Sequence, residues 1–80
     1  MIKILFICHG NICRSPMAEF VFRQMAEQAG LAERFDVASA ATTDEEIWNG
    51  YGNPVYPPVE RLLRAHGMDP SDKRAVLLMA

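Results

Sequence analysis

Ile4-Leu5-Phe6-Ile7-Cys8-His9-Gly10-Asn11-Ile12-Cys13-Arg14-Ser15-Pro16 decides how the rest of the chain is read. An apolar run leads into a short polar loop with a glycine, and the loop leads into a helical pattern. Backbone N–H groups of a tight loop and of a helix's first turn have no intrahelical partner, so they can converge on a bound anion. The helix dipole adds to the same field. Cys8 and Arg14 make the loop more than a passive cradle. Such a field stabilises a thiolate, to a pKa of roughly 3.5–7.5 in comparable settings. The planar fork of Arg14 matches two phosphate oxygens at once. Cys8, five residues, then Arg14 reads as a nucleophile at the bottom of a phosphate cup.

Upstream of the loop, residues 2–7 are apolar except for Lys3 and rich in β-branched side chains, which predicts a buried parallel strand. Downstream, Ser15 is placed to cap a helix with Pro16 at the favoured first position. Met17, Phe20, Val21 and Met25 recur at helical spacing and are expected to face the core, with Arg23, Gln24 and Glu27 largely off that stripe. Gly30 is a natural stop. Phe35-Asp36-Val37-Ala38-Ser39-Ala40 reads as a second short strand. Residues 42–58 read as loop, from Gly50, Gly52, Asn53 and three prolines. Val59, Leu62, Leu63 and His66 form the next helical stripe, ended by Gly67, and Asp69-Pro70-Ser71-Asp72 is turn chemistry. Residues 75–80 are apolar but too few to assign to a helix or a strand. The alternation predicts an α/β fold with a parallel sheet, flanking helices and right-handed crossovers. Ligands in such sheets sit beyond the strand C-termini. Cys8 falls there too.

Eighty residues with 50% apolar content describe one domain at most, and a chain of that size buries a modest fraction of its surface. A net charge of −2 without basic clusters gives no nucleic-acid signature. No apolar stretch approaches the ~20 residues of a membrane span, and Met1-Ile2-Lys3-Ile4 lacks the features of a signal peptide. Two cysteines, one at the nucleophile position, argue for a reducing compartment, so a cytoplasmic location is expected. The sequence shows no internal repeat, low-complexity tract or linker.

Cys8-x5-Arg14-Ser15-Pro16 resembles the low-molecular-weight protein tyrosine phosphatase family. Gly10-Asn11, the second cysteine Cys13 and Ser15-Pro16 strengthen the match, and Ser39-Ala40-Ala41-Thr42, Gly52-Asn53-Pro54 and His66-Gly67-Met68-Asp69 extend it. The resemblance covers essentially all 80 residues and the first half of the family's domain. It implies a phosphotyrosine phosphatase I-like, Rossmann-like three-layer fold, present in residues 1–80 as strand, loop, helix, strand and helix. It also implies phosphomonoester hydrolysis through a phosphocysteine on Cys8, without a cofactor or metal. Arg14 and the loop residues His9, Gly10, Asn11, Ile12, Cys13 and Ser15 would hold the phosphate oxygens. Asn11 would keep the loop's shape, Ser15 would hydrogen-bond the thiolate, and Ser39 would join that network. Trp48 and Tyr51 sit where the family places aromatics that flank the substrate. The implied partners are a phosphotyrosine protein or a small phosphomonoester, with phosphate, sulfate or vanadate as ligands, and neither nucleic acid nor membrane.

Some residues carry a second reading. Cys13 is either a small core residue or the partner of a protective disulfide with Cys8. His9 is a rim residue or a general base, and His66 reads as structural. Cys8, His9 and Cys13 lack the spacing of a closed zinc site. Trp48 and Tyr51 can equally be surface aromatics covering the core. The family's general acid is an aspartate in an Asp-Pro-aromatic loop near the end of a longer chain. Residues 1–80 contain no such loop, since Asp69-Pro70 is followed by Ser71. General acid–base help is worth typically ~10²–10⁴-fold, so weak or no turnover is expected of these residues alone. Two other classes stay in view: an arsenate reductase-like redox enzyme, though no cysteine follows Cys13, and a non-catalytic phosphate-binding module that dimerises through an incomplete sheet edge.

Overall fold

A computed structural model of the chain describes residues 1–78. Strand β1 (Ile2–Cys8) runs into the polar loop, and helix α1 (Arg14–Gln28) leaves it. A single 3₁₀ turn (Ala32–Arg34) then leads into strand β2 (Phe35–Ala41). β1 and β2 pair in parallel, Ile2 opposite Phe35 through to Cys8 opposite Ala41. The two strands joined by a crossover helix are the predicted α/β unit. Helix α2 (Pro57–Ala65) follows and packs on α1, where Val55, Val59 and Leu63 are buried against Cys13, Met17, Phe20 and Met68. Gly30 and Gly67 close the two helices with positive φ of 72° and 82°.

Side-chain alternation along the strands separates two faces. Val37, Ser39 and Ala41 are buried beneath α1, and Phe6, Phe22 and Phe35 stack edge to edge on that side. Leu5 and Ile7 point the other way and remain 46% and 47% exposed. The strand expected to be buried is therefore covered on one face among the described residues. A continuous apolar run does not reveal which face is covered.

Three further expectations need correction. Ser15 does not cap α1: Cys13 holds the N-cap position without a side-chain cap bond, Ser15 and Pro16 lie inside the first turn, and the Ser15 hydroxyl turns to Cys8 and Asn11. The apolar stripe of α1 is rotated from the expected one. Met17 and Phe20 face α2, but Val21 and Met25 are exposed, and the residues buried on α1 are Ser15, Pro16, Glu19 and Ala26. Burying Glu19 is what turns the helix, because two cations and a serine hydroxyl collect on its carboxylate. Lastly, residues 42–58 are not all loop. Strands β3 (Ile47–Trp48) and β4 (Tyr51–Gly52) form a small hairpin, and α2 begins at Pro57. Asn49 and Gly50 take positive φ of 50° and 81° at the turn, the conformation for which Asn-Gly is favoured. That dipeptide was the unread signal.

Residues 76–78 add an extended segment beside the end of β2, with Ala41 bonded to Val76 O and Leu78 N–H bonded back to Ala41 O. The unassigned tail thus continues the sheet; its last two residues, Met79 and Ala80, lie outside the described residues.

Candidate active site

Cys8 is the last residue of β1, so its sulfur sits at the C-terminal end of the parallel pair, with the first turn of α1 beside it. The loop between them is shaped by Asn11, which is buried and takes φ 59°. Asn tolerates that left-handed conformation better than most residues, and it turns successive N–H groups inward. Backbone N–H groups of Ser15, Asn11 and Gly10 bond the Cys8 sulfur, and Ser15 Oγ lies 3.0 Å from it. Partial burial pushes the Cys8 thiol up. The hydroxyl of Ser15 and the three N–H groups pull it down by more, so it titrates below the ordinary thiol value of 9.0. Arg14, the first residue of α1, is exposed at the mouth of the loop.

Beneath the loop the polar side chains are joined. Asn11 Nδ2 donates to Ser15 Oγ at 2.8 Å and to Ser39 Oγ at 2.9 Å, while its Oδ1 accepts from Val76 N–H at 2.9 Å. Ser39 Oγ donates to Glu19 Oε1 at 2.5 Å. Arg23 binds Glu19 Oε2 at 2.6 Å and the Val37 carbonyl at 2.7 Å. Lys73 Nζ lies 3.7 Å from Glu19 Oε1 and donates to the Ser39 carbonyl at 3.2 Å. Burial pushes the Lys73 ammonium down, and Glu19 offsets part of that.

Above the loop, residues 42–56 wrap around it. Thr42 and Thr43 N–H groups bond the carbonyls of Cys8 and His9, and Tyr56 N–H bonds that of Ile12 at 2.7 Å. His9 Nε2 pairs with Glu45 at 2.8 Å, and Asn53 holds Glu46 at 2.7 Å. Gly10 is needed under this strap, since a Cβ there would sit 2.9 Å from Glu46 Cγ. Trp48 and Tyr51 face one another across the β3–β4 hairpin, 77% and 80% exposed.

The structure therefore brings together Cys8, Gly10, Asn11, Ser15 and Ser39. It puts His9 on the rim against an acidic partner and Cys13 against the α1–α2 core. It leaves the two aromatics on an exposed hairpin whose base is tied to the loop. Both cysteines are free thiols. Asp69 is occupied elsewhere: its carboxylate accepts from Ser71 N–H, which, with Arg64 nearby, holds it below the usual carboxylate range. Among the described residues no group of three or more His, Cys, Asp or Glu side chains gathers to hold a metal ion, and no helix is long and apolar enough to cross a membrane. Sequence reading missed Glu19 and Lys73. Glu19 had one legible sign, its i,i+4 spacing to Arg23; Lys73 is brought in by the tertiary fold alone.

Residues 3–76 match the family model for low molecular weight phosphotyrosine protein phosphatase. The chain belongs to that family. Among curated relatives, the low molecular weight phosphotyrosine protein phosphatase of Schizosaccharomyces pombe is 46% identical over 67 residues, covering 84% of this chain and 41% of the relative. The human enzyme of that name is 43% identical over 66 residues, covering 82% and 39%. The crystal structure of YfkJ from Bacillus subtilis superposes with a TM-score of 0.87 at 37% identity, over 98% of this chain and 46% of that one. The chain thus spans about two fifths of the length of the curated family members it matches. The fold of this phosphatase family is the incomplete α/β arrangement described above.

Proposed function

We propose that this phosphatase-family chain holds phosphomonoesters, phosphotyrosine in a protein or a small phosphoester, in the loop of residues 8–15, and that Cys8 attacks their phosphorus. In the first step an S–P bond forms and the ester P–O bond breaks, the alcohol leaving with a proton. In the second, water attacks phosphorus, the S–P bond breaks, and thiolate and inorganic phosphate are released. Arg14 and the loop amides take the equatorial oxygens, whose charge grows in both transition states. Inorganic phosphate, sulfate and vanadate bind the same cup. The single observation that carries this reading is the set of donors on the Cys8 sulfur, which favours thiolate at the mouth of an anion-binding loop. Ser15 then serves twice, stabilising the attacking thiolate and the departing one.

Residues 1–80 supply no acid for the leaving oxygen. Asp69 stays ionised at its turn, bonded to Ser71 and near Arg64. Turnover by these residues alone is accordingly weak, and weakest for leaving groups that need a proton. The test is hydrolysis of p-nitrophenyl phosphate, whose leaving group needs little protonation, against that of a phosphotyrosine peptide, from about pH 5 to 8. Slow release from p-nitrophenyl phosphate that Cys8→Ser abolishes is the expected result. A Cys8→Ser chain as active as the wild type would remove Cys8 from the mechanism.

A further inference from the structure

We propose that Lys73, acting through Glu19, is a positioning residue for the Cys8 thiolate. The proposal rests on the reading of Cys8 as the nucleophile and extends it to a charge pair on the far side of the loop.

The argument follows the protons. Val76 N–H can only donate, so the Asn11 atom facing it is the carbonyl Oδ1, and the amide Nδ2 faces the two serines. Each of its hydrogens goes to one hydroxyl oxygen. An ionised Glu19 can only accept, so Ser39 gives its proton to Oε1 and receives from Asn11. Ser15 likewise receives from Asn11 and keeps its own proton, which is free for the Cys8 sulfur at 3.0 Å. The bond that favours thiolate over thiol is therefore the last link of a directed chain whose first link is the charge on Glu19.

A buried carboxylate stays ionised only if paired. Arg23 from α1 holds Oε2, and Lys73, from the segment after α2, faces Oε1, the oxygen that takes the Ser39 proton. Asp69 and Asp72 line the adjoining groove with Phe20, Arg23 and Lys73. The Lys73 side chain is only 13% exposed and also grips the Ser39 carbonyl, so the ammonium is built into the network. Without it, a proton settles on Oε1 and points at Ser39 Oγ. Ser39 then has no acceptor for its own proton, which turns against the Asn11 amide and loosens the loop.

The experiment measures Cys8 alkylation by iodoacetamide against pH in the 80-residue chain, with Cys8 and Cys13 read separately by tandem mass spectrometry. Lys73→Met should raise the midpoint by about half a pH unit, roughly threefold less thiolate at a fixed lower pH. Lys73→Arg, which keeps the charge, should return it towards the wild-type value. Ser39→Ala keeps both ions and cuts the chain between them and Asn11, so it should raise the midpoint as Lys73→Met does. It also decides the matter should Lys73→Met not fold by circular dichroism. A lowered wild-type midpoint with Ser39→Ala and folded Lys73→Met unmoved would overturn the proposal alone. A wild-type midpoint at the ordinary 9.0 would overturn the nucleophile reading beneath it as well.

Discussion

The loop of residues 8–15 meets two different environments. Below it, Asn11, Ser15, Ser39 and Glu19 are buried, and their hydrogen bonds run unbroken to Arg23 and Lys73. Above it, His9, Glu45, Trp48 and Tyr51 stand in water. Polar bonds of similar length differ in consequence because of this. In a buried network each lost partner strands another polar group, whereas water replaces the lost partner of an exposed one. The underside thus fixes the shape of the loop, and the rim is free to vary.

Substitutions can break or sharpen that contrast. Asn11→Ala should have the largest effect, since it removes three buried hydrogen bonds and places alanine at a left-handed backbone position. Urea unfolding should show a loss of about 2–4 kcal/mol. Asn11→Gly removes the same bonds without the backbone penalty, and should recover about 1 kcal/mol of it. Ser39→Ala comes next, at about 1–2 kcal/mol, because Asn11 and Glu19 each lose one partner and keep others. His9→Ala on the rim should cost less than about 0.5 kcal/mol, as exposed ion pairs do. Equal losses for Ser39→Ala and His9→Ala would erase the distinction between the two sides.

The same division governs what was legible in the sequence. The β1–loop–α1 turn could be read because strand, loop and helix signals are local, and Cys8, Gly10, Asn11, Arg14 and Ser15 lie within eight residues. Ser39 could be reached only through the family resemblance. Lys73 could not be reached at all: it lies 54 positions from Glu19, and its ammonium arrives by way of the turn after α2. The rotated face of α1 was misread for a related reason. Hydrophobic periodicity assumes that apolar residues point inward, and α1 buries a charged one instead. The Asn49-Gly50 hairpin was legible and overlooked among neighbouring loop signals.

The central claim is that the loop assembles around an ionised Cys8 and takes an oxyanion against it. The most direct measurement is the pH dependence of Cys8 alkylation in the 80-residue chain, with and without inorganic phosphate. The account predicts a midpoint below 9.0, with phosphate protecting Cys8 and Arg14→Ala abolishing that protection. A midpoint at the ordinary thiol value, with alkylation indifferent to phosphate, would contradict it.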